Sequence, residues 1–568
     1  MKSRNQALIN IARQKFDVCV IGGGATGSGC ALDSQLRGLT IALVDAGDFA
    51  GATSSTSTKI EHGGVRYLEE AVKDLDPAQY HVVTRALHER IRMLKNAPHL
   101  SRTMEFLLPC FRWADVGYYD VGLKMYDWVS GNASLSPSHF LSKEETLRRM
   151  PTLRRSHLVG SIAYADGQFD GARYNITLVV TFAEAGGEPL NYARVIAFEK
   201  DSSGQLKAAE VEDRVTGKRF VIQATVFVNA TGPFSDTVRA LATPGIAPRT
   251  RLSKGIHILL PFEVMPSADA MLIPKTEDGR VLFAVPWMGR LLVGTTEQEI
   301  NVHDELYVTK DEVEYVLHHL NQYLKRPVTA DQVVSGIAGA RPLVSNGDSR
   351  DTKKLARDDE LEIDSKTGLI SIMGGKWTTH RAMAEDTINA VQERLGAPKT
   401  QSPTRNRPLA GADRYTPDYW QKLVREQSVS DETAHHLAGK FGTAAEQVLD
   451  IARRETDLSS PILNDLPQLR AEVAFCARHE MAVTIEDVLF RRLGIQLYSW
   501  RSAIHAAPVV ASILGRELGW SGESTRSATR QYVEKINRYL QLAGLAPEPF
   551  SDSEISSISA NVFNAKGR

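Results

Sequence analysis

The first part of the chain alternates between short apolar runs, typical of strands, and a segment with helical composition. Residues 16–21 and 40–44 are short apolar runs rich in β-branched side chains, which is typical of buried parallel strands. Between them, the glycines at 22–24 interrupt the apolar run, and residues 25–37 have the composition of a helix. The pattern therefore predicts a strand–helix–strand unit at the start of the chain.

The remaining pattern predicts a mixed region followed by helices. An amphipathic helix is predicted over 81–94, and residues 100–155 mix aromatic residues, proline and short charged helices. Strand-like runs recur at 193–198, 225–229, 256–261, 281–285 and 291–294, and a hairpin is predicted over 361–372. The Pro-rich polar segment 396–411 is predicted to be a linker, and the residues after it are predominantly helical.

Composition narrows the class of protein. The chain has 568 residues, enough for two or more domains, and its 67 Lys and Arg residues balance 68 Asp and Glu residues. This balance excludes the broad basic surface of a non-specific nucleic-acid binder, so no nucleic-acid partner is predicted. The four cysteines form no CxxC pair, and no metal site is predicted. Without a recognisable signal peptide or membrane-spanning run, the protein is expected to be soluble or to lie on a membrane surface.

The glycines after the first predicted strand carry the first chemical signal. Gly22, Gly24 and Gly27 match the pattern GxGxxG between a strand and a helix, and Asp45 follows the next strand. Asp45 lies about 20 residues after the first glycine, as the dinucleotide-binding fingerprint requires. The glycines allow a tight turn and close approach of a pyrophosphate to the helix N-terminus, and Asp45 can accept a ribose hydrogen bond. The sequence therefore predicts a dinucleotide site, but this pattern alone does not separate FAD from NAD.

The sequence also resembles a known family. The motifs that carry the resemblance are, in chain order, IGGGATGSGCALD, LVDAGDFAGATSSTSTKIEHGGVRYLE, YADGQFDGAR, VNATGPF, PWMGRLLVGTTE, GARPL, ARDDELEI, GGKWTTHR and EMAVTIEDVLFRRL. Together they resemble the FAD-dependent glycerol-3-phosphate dehydrogenases and their oxidase relatives over nearly the whole chain from about residue 16. Three residues depart from the family pattern: Asp45 where Glu is common, Thr56 where Arg or Ala is common, and Glu297 where Asp is common. The last departure leaves the geometry near the flavin open.

The resemblance implies an α/β fold with three parts. The first is a discontinuous FAD-binding, Rossmann-like domain over 12–98, 158–250 and 332–396. An α+β substrate-binding cap domain, over 99–157 and 251–331, is inserted into it. A C-terminal all-α domain over 411–568 follows the linker.

The resemblance also implies an activity. Members oxidise sn-glycerol 3-phosphate to dihydroxyacetone phosphate by hydride transfer to FAD and pass the electrons to a membrane quinone. A cytoplasmic enzyme on the inner face of the cell membrane is therefore expected, in contact with quinone or lipid, and a homodimer is left open. Three alternatives remain: an oxidase that reduces oxygen to hydrogen peroxide, an FAD-dependent amine or amino-acid oxidase, and a non-catalytic FAD-binding protein.

A small dianionic substrate needs fixed cations, and these argue against the last two alternatives. Arginine binds phosphate through two donors at once. By motif, Arg341, Arg357 and Lys376 are predicted to surround the substrate, and Arg66 and Tyr67 to close the site from the other side. An amine substrate or a purely structural role does not require several converging cations.

The base that takes the proton from the C2 hydroxyl is left open between His62 and Lys376. His257 and Lys254 are ranked lower, as residues of the pocket wall. The basic segment 147–155 is interpreted as a solvated helix end rather than a site for phosphate or anionic lipid.

Cofactor contacts are implied along the same motifs. The turn in GGKWTTHR precedes a predicted helix, whose N-terminus is expected to stabilise negative charge on the reduced flavin. The predicted cofactor-binding residues are Gly22, Gly24, Ala25, Thr26, Gly27, Asp45, Ser54, Ser55, Thr58, Lys59, His62, Gly63, Gly64, Val195, Thr231, Gly232, Gly375, Lys376, Trp377 and Thr378.

Overall fold

The computed structural model describes residues 1–63, 77–345 and 359–562. The strands in these ranges are β1 (Lys15–Ile21), β2 (Ile41–Val44), β3 (Ile60–Glu61), β4 (Ser101–Cys110), β5 (His139–Ser142), β6 (Gly160–Phe169), β7 (Glu188–Leu190), β8 (Ala193–Lys200), β9 (Leu206–Asp213), β10 (Arg219–Asn229), β11 (Thr250–Pro261), β12 (Ala270–Ile273), β13 (Leu282–Trp287), β14 (Arg290–Gly294), β15 (Gln298–Ile300), β16 (Ser335–Val344), β17 (Asp359–Ile363) and β18 (Ile370–Gly374). The helices are α1 (Arg4–Arg13), α2 (Ala25–Leu36), α3 (Pro77–Asn96), α4 (Trp113–Ser130), α5 (Lys143–Arg149), α6 (Gly171–Glu184), α7 (Ser235–Ala242), α8 (Lys310–Asn321), α9 (His380–Arg394), α10 (Tyr419–Gln427), α11 (Asp431–Phe441), α12 (Ala445–Arg454), α13 (Arg470–Glu480), α14 (Ile495–Tyr498), α15 (Trp500–Leu518), α16 (Gly522–Leu542) and α17 (Asp552–Asn561).

The first sheet has eight strands and contains the predicted strand–helix–strand unit. Its main order is β17-β18-β10-β1-β2-β7, and β9, which also pairs with β8, joins the first half of β10. β1 lies between β2 and β10 and is parallel to both, and β18 is parallel to β10. The predicted bounds of β1, α2 and β2 are each within one residue of those observed. An apolar run that is buried on both faces of a parallel sheet gives a clear sequence signal, which explains this agreement.

The second sheet has ten strands and differs more from the sequence pattern. Its main order is β15-β11-β14-β13-β12-β4-β6-β3, with β16 paired to β11 and β5 to β6. β11 and β16 are antiparallel over ten residue pairs, and β4 and β6 pair along their full lengths. The pattern missed β4 and β6, because β6 is buried at every position while including Ser, Asp and Gln. Polar residues inside a fully buried strand hide both the apolar run and the two-residue alternation.

Pairing in the second sheet crosses the predicted domain boundaries. β6 lies in the segment 158–250 assigned to the FAD-binding domain, yet it pairs with β4 from the segment 99–157 assigned to the cap. β16, from 332–396, likewise pairs with β11 from 251–331. The division into domains therefore stays a prediction, and sheet membership does not follow it strand for strand.

The C-terminal part is all-α, as predicted. Helices α10 to α17 follow residue 411, and a single π-helical turn spans Asp487–Arg492. One hydrophobic core joins this part to the second sheet, since Leu437, Trp500 and Ile513 cluster with Ile256 and Val293. No helix in the described part of the chain is long and apolar enough to cross a membrane.

The predicted linker 396–411 connects the two parts but is packed rather than free. Ser402, Thr404 and Leu409 are buried. The backbone N–H of Leu409 donates to the Asn96 carbonyl (2.8 Å), and the Asn96 side chain donates to the Thr404 carbonyl (3.1 Å). Its hydrogen bonds to α3 fix the position where the helical part begins.

Candidate active site

The turn after β1 has the geometry expected of a dinucleotide-binding turn. Gly22 has φ +106°, and a Cβ there would lie 2.5 Å from the Ala230 carbonyl oxygen. A Cβ on Gly27 would lie 1.8 Å from the carbonyl oxygen of Gly22, so only glycine allows α2 to begin this close to the turn. The first N–H groups of α2 and its dipole are therefore available to a phosphate. Ser54 Oγ accepts the Ala25 N–H (2.9 Å), which brings the cofactor loop, residues 46–63, to the same helix end.

Asp45 is held at the end of β2 by backbone groups. Its carboxylate accepts the N–H of Gly23 (2.6 Å) and the N–H of Gly47 (2.8 Å). Burial raises the pKa of Asp45 to about 6. A carboxylate has about four acceptor positions, so further hydrogen bonds from a ribose can be accepted. The hydrogen bond from a ribose to Asp45 stays a prediction, and the two backbone N–H groups fix the orientation of the carboxylate.

Four predicted cofactor segments converge at the carboxyl ends of parallel strands. Ile21 lies opposite both Val44 and Asn229, so the turns after β1, β2 and β10 meet at one edge of the sheet. The turn after β10 contains Thr231 and Gly232, and Thr231 Cα lies 2.9 Å from where a Gly22 Cβ would be. Ligands of open α/β sheets bind at this edge.

The turn after β18 completes this edge. Trp377 Nε1–H donates to the Ser54 carbonyl (2.9 Å), and the Trp377 ring packs against Phe169 and Tyr174. Gly374 and Gly375 both have positive φ, and a Cβ on Gly375 would lie 2.4 Å from Met383 Sδ. Thr378 follows in the short turn before α9. The backbone cradle formed by these glycines, together with Asp45 and the α2 N-terminus, fits an extended dinucleotide such as FAD.

Val195 lies near the same edge, on β8. The N–H of Ala193, two residues earlier, donates to the Asp45 carbonyl (2.6 Å). Val195 itself is buried and pairs with Val211. Its predicted adenine contact through the backbone is compatible with this position and stays a prediction.

The cofactor loop is fixed to the second sheet by its hydroxyl groups. Thr53 Oγ1 donates to the Ala340 carbonyl on β16 (2.6 Å), and Thr58 Oγ1 lies 2.9 Å from His257 Nε2 on β11. His257, ranked low from the sequence, is thus in direct contact with the loop, and its pKa falls to about 3 because of burial and the nearby Arg341 charge. A neutral histidine at this place positions the loop through a hydrogen bond.

Lys59 lies inside the loop and is completely buried. Its Nζ donates to the Ser55 carbonyl (2.7 Å) and lies 5.6 Å from the centre of the Trp287 ring. Burial lowers the pKa of Lys59 to about 8, against the opposing charge of Asp170. The described contacts of Lys59 therefore stabilise the loop itself, and its contact with the cofactor stays a prediction.

A buried group of charges joins the cofactor loop to the helical part, and we call it the tail clasp (Asp48, Arg491 and Arg492). Arg491 Nε and Arg492 donate to the Asp48 carboxylate, each at 2.7 Å, and Asn191 donates to its other oxygen at 3.0 Å. Burial alone would raise the pKa of Asp48, but the charges of Arg492 and Arg491 outweigh it and lower the pKa to about 2. Arg491 also pairs with Asp487 (2.5 Å). These residues belong to the LVDAGDFAG and EDVLFRRL motifs, and sequence reasoning gave none of them a role.

A second buried ionic contact reaches the strand end next to the site. Arg173, near the start of α6, forms two hydrogen bonds to Glu480 of α13, at 2.6 and 2.8 Å. Asp170, the N-cap of α6, pairs with Lys440 of α11. The helical part therefore holds both the cofactor loop and the helix beside it.

His62 and Gly63 lie at the end of the described loop, against a buried polar group. The Gly63 N–H donates to Asp166 (3.3 Å), and Arg90 donates to the same oxygen (2.5 Å). A Cβ on Gly63 would lie 2.1 Å from the Tyr126 hydroxyl, so glycine is required there. His62 is half-buried, with its ring 6.3 Å from that of Phe283. This arrangement fixes the backbone that carries His62.

Glu61 sits beneath the same turn. One of its oxygens accepts the Ser101 hydroxyl (2.6 Å), and the other has no hydrogen-bond partner among the described residues. Burial raises the pKa of Glu61 to about 8, so the side chain is a neutral acid at pH 7. The sequence offered no signal for this, because an acidic residue in a polar loop looks solvated.

Two of the predicted substrate-binding cations are described. Arg341 on β16 donates to the Thr296 carbonyl (3.1 Å) and to the Thr295 hydroxyl. Lys376 lies in the turn after β18. Both are half-buried. The other predicted residues of this set, Arg66, Tyr67 and Arg357, and the cofactor residue Gly64, lie outside the described residues.

Lys254 points away from this set. Its Nζ pairs with Glu312 of α8 (2.8 Å) and lies 5.4 Å from the centre of the Tyr307 ring. The ion pair with Glu312 is compatible with the low ranking of Lys254 as a substrate-binding residue. Glu297, the family departure, accepts Arg280 through its backbone carbonyl (2.9 Å), so its side chain is not fixed by that contact.

A cavity of about 290 Å³ lies on the tail side of the cofactor loop. It is lined by Thr53, Ala340, Arg491, Trp500 and Lys535, among others. None of the described predicted catalytic residues, His62, Arg341 and Lys376, lines it. The cavity therefore belongs to the contact between the loop and the helical part rather than to the predicted substrate side.

Comparison with known proteins supports a flavin enzyme. Residues 17–385 match the family of FAD-dependent oxidoreductases, and residues 402–525 match the C-terminal domain of alpha-glycerophosphate oxidase. The chain therefore carries the FAD-binding fold together with the helical domain of that group.

Individual relatives agree over nearly the full chain. Mitochondrial glycerol-3-phosphate dehydrogenase of Bos taurus is 38% identical over 566 residues, covering 98% of this chain and 77% of that protein. The Homo sapiens enzyme is 38% identical over 579 residues, covering 100% of this chain and 79% of that protein. The structure of a Bacillus halodurans glycerol-3-phosphate dehydrogenase complexed with FAD has a TM-score of 0.75 and 27% identity, covering 94% of this chain and 97% of that one. The chain belongs to the FAD-dependent oxidoreductase family, among the glycerol-3-phosphate dehydrogenases.

Proposed function

We propose that this chain binds FAD and oxidises sn-glycerol 3-phosphate to dihydroxyacetone phosphate. The observation that carries the proposal is the contact between Thr53 and Ala340, which places the cofactor loop directly beside the strand residue preceding Arg341. This contact supports the proposal that the cofactor and a phosphate-binding cation meet at one position. The names and FAD complex of the relatives support the same activity.

Arg341 supplies the charge for the substrate phosphate. The guanidinium is oriented by Thr295 and Thr296, and the side chain is half-buried. A planar guanidinium binds two phosphate oxygens at once, which fixes the substrate as well as attracting it. We assign the same charge to Lys376 and, outside the described residues, to Arg66 and Arg357.

The reaction removes a hydride from C2 and a proton from the C2 hydroxyl. FAD, when bound, accepts the hydride. The proton is taken by His62, directly after β3, or by Lys376, in the turn after β18, and both side chains are half-buried. The Asp166–Gly63 hydrogen bond holds the backbone next to His62, which would keep its ring at one distance from the substrate.

The N-terminus of α9 would stabilise charge on the reduced cofactor. α9 begins at His380, directly after the turn that contains Lys376 and Trp377. The partial positive charge of a helix N-terminus favours an anion placed within the first turn. The His380 ring, held by the Trp377 carbonyl (2.9 Å), has its pKa lowered to about 4 by burial and adds no charge at pH 7.

The electron acceptor is proposed to be a quinone in the membrane, with the enzyme bound to the inner face of the cell membrane. The mitochondrial names of the relatives support a respiratory role. The matched C-terminal domain is named after an oxidase, so oxygen is the acceptor that must be tested against quinone.

Anaerobic mixing tests the activity directly. Glycerol 3-phosphate should bleach the flavin absorbance of the holoenzyme within a turnover, because the flavin is reduced with no acceptor present. Glycine and sarcosine serve as controls for an amine oxidase and should leave the absorbance unchanged. Bleaching by glycine or sarcosine, with none by glycerol 3-phosphate, would refute the proposal.

Oxygen uptake separates the two acceptors. With glycerol 3-phosphate in air and no added acceptor, a quinone enzyme should consume oxygen slowly and should turn over rapidly once a soluble quinone is added. Hydrogen peroxide formed in equal amount to product, at the rate seen with quinone, would identify an oxidase instead.

A further inference from the structure

Helix α4 exposes its apolar side to solvent. Trp113 is 70% exposed, Tyr118 55%, Val121 61% and Trp128 79%. These four residues are among the most exposed large apolar side chains of the described chain, and they lie on one helix. Contiguous apolar surface of this kind marks an interaction site on a folded protein.

The exposed residues form one continuous face. At 100° per residue, Trp113, Val121 and Trp128 fall within about 80° of the helix circumference, with Lys124 in the same arc, and Tyr118 lies about 60° further round. The two tryptophans are separated by about 22 Å along the axis at 1.5 Å per residue. Phe140, on the neighbouring β5, is 40% exposed, and its ring centre lies 6.0 Å from that of Trp113. The face is therefore a ridge with an aromatic residue at each end.

The acidic residues of the same helix, Asp115, Asp120 and Asp127, are half-buried. Asp127 accepts the backbone N–H of Ser138 (2.7 Å) and its hydroxyl (2.6 Å), and Asp115 pairs with Arg112 (2.8 Å). Leu123 and Tyr126 are buried behind the ridge. A surface helix normally shows the reverse distribution, with polar residues outward. The distribution on α4 is that of a helix that meets an apolar or interfacial medium.

Cations surround one end of the ridge. Arg154 and Arg155 are exposed there, whereas the charge of Arg112, whose side chain is 79% exposed, is paired with Asp115. The Arg154 guanidinium lies 4.7 Å from the centre of the Phe111 ring, which holds it at the N-terminal end of α4. Glu144 is exposed on the neighbouring α5, but Asp115 is already paired. The basic segment 147–155, interpreted from the sequence as a solvated helix end, thus borders the aromatic ridge.

We propose that the ridge, defined by Trp113, Tyr118, Val121, Trp128 and Phe140, rests on an anionic lipid surface. The proposal rests on the proposed function, in which the electron acceptor is dissolved in the membrane. Trp and Tyr favour the headgroup region because each ring has an apolar body and a polar N–H or O–H. The arginines at the ridge end attract anionic headgroups, and apolar burial of the ridge adds to that attraction.

The charge distribution favours lipid over a second copy of the chain. In a two-fold symmetric contact through the ridge, the same surface of both copies would meet. If the two ridges ran parallel, Arg154 and Arg155 of both copies would meet and repel. If they ran antiparallel, these arginines would face the Trp128 end of the other copy, where Asp127 is already hydrogen-bonded to Ser138. An anionic bilayer complements the arginines instead.

Vesicle flotation of the holoenzyme tests the proposal. Wild type should float with vesicles of phosphatidylcholine and phosphatidylglycerol, and less with pure phosphatidylcholine. The double variant Trp113→Ser/Trp128→Ser should bind the mixed vesicles at least about tenfold more weakly, since burial of two indole rings is lost. The matched control, Val215→Ser/Ile363→Ser, changes two residues that are 52% and 48% exposed elsewhere and should bind like wild type.

A second pair of variants separates charge from apolar burial. Arg154→Gln/Arg155→Gln should lower binding to the anionic vesicles, with a reduced dependence on salt, and should leave binding to pure phosphatidylcholine unchanged. Equal vesicle binding by wild type and Trp113→Ser/Trp128→Ser would overturn the proposal. The proposal would also be overturned if wild type sedimented as a dimer and Trp113→Ser/Trp128→Ser became a monomer but still bound vesicles.

Oxidation of glycerol 3-phosphate with a soluble dye as acceptor reports separately on the proposed function. All of these variants should keep wild-type dye reduction, because the ridge contains no residue placed at the cofactor or substrate. A variant that loses lipid binding but keeps dye reduction has lost only the function of the ridge. Absence of dye activity in wild type would contradict the proposed function and leave the flotation result to stand on its own.

Discussion

The two sides of the cofactor loop are built on opposite principles. On the tail side, Asp48 is completely closed in by Arg491, Arg492 and Asn191, and all of these side chains are buried. On the side proposed for the substrate, Arg341 and Lys376 are half-buried. The tail clasp therefore uses fully buried charge to fix structure, whereas the side proposed for the substrate holds its cations only half-buried.

The difference follows from the cost of desolvation. A charge taken out of water must find its full set of partners within the protein, and removal of one partner leaves the other uncompensated. A half-exposed guanidinium keeps water as an alternative partner and can exchange it for a phosphate. Substitutions on the tail side should therefore act on stability and FAD retention, and substitutions on the substrate side on kinetics.

The largest effect is expected from Arg492→Ala. It leaves Asp48 with an incomplete set of donors in a buried site, which should cost about 3–5 kcal/mol of unfolding free energy and release FAD. Urea denaturation and flavin absorbance after gel filtration measure both. Arg453→Ala, which removes an arginine that is 63% exposed and paired with Asp450, is the control and should cost about 0–1 kcal/mol. If Arg492→Ala were as stable as wild type, the buried charges of the tail clasp would not stabilise the fold.

The next largest effect concerns the base on the substrate side. Either Lys376→Met or His62→Gln should lower kcat by about 10²- to 10⁴-fold, since a positioned base contributes about that factor. Both variants should retain FAD and stability. The variant that also loses the acidic limb of the pH–rate profile identifies the base. If neither lowers kcat, a residue outside the described ranges takes the proton.

Arg341→Ala should weaken substrate binding and leave FAD in place. Loss of two charge-assisted hydrogen bonds to phosphate predicts a KM increase of at least about a hundredfold. Steady-state kinetics and the flavin-to-protein absorbance ratio provide the two readouts. Arg251→Ala is the matched control, since Arg251 lies opposite Leu343 of the same strand pair and binds Glu299 at 2.7 Å. A normal KM in Arg341→Ala would disprove the phosphate-binding role.

The smallest effect tests the neutral acid below His62. The pKa of Glu61 rises from 4.5 to about 8 on folding because of burial, so the folded state binds the extra proton between these values. Its contribution to stability is present below pH 4.5 and is lost as the pH rises through about 8. Glu61→Gln should therefore resemble wild type at pH 4 and be more stable by about 2 kcal/mol at pH 6, because unfolded wild type has by then lost the proton that the folded state still holds. Urea midpoints at the two pH values check this, and the control is Glu210→Gln, a β9 carboxylate that is 35% exposed and paired with Arg219. An identical pH dependence in Glu61→Gln and wild type would show that Glu61 is ionised throughout.

The first strand–helix–strand unit and its glycines could be predicted because their signals are local. Gly22 and Gly27 are required by contacts within a few residues of the turn, or with the adjacent strand. The C-terminal helices could be predicted for the same reason, from periodicity. β4 and β6 could not, because β6 buries its polar residues inside the sheet, where it pairs with β3, β4 and β5.

The candidate site divides in the same way. Sequence motifs named Asp45, Ser54, Thr231 and Trp377, and the structure brings their segments to one sheet edge. The contacts of Asp48 with Arg491 and Arg492 join residues more than 400 positions apart. No single sequence motif contains both partners. Long-range ionic contacts leave no periodic trace in a sequence.

The sequence by itself determined the dinucleotide turn, the order of the elements around it and the family-specific cations, because each depends on residue type and short spacing. Only the tertiary structure decided which charges are buried in the tail clasp and which remain accessible beside β16. It also decided that α4 turns its aromatic side outward. Burial is a property of the assembled layers, and the same arginine or tryptophan stabilises the interior or binds a partner according to what packs over it.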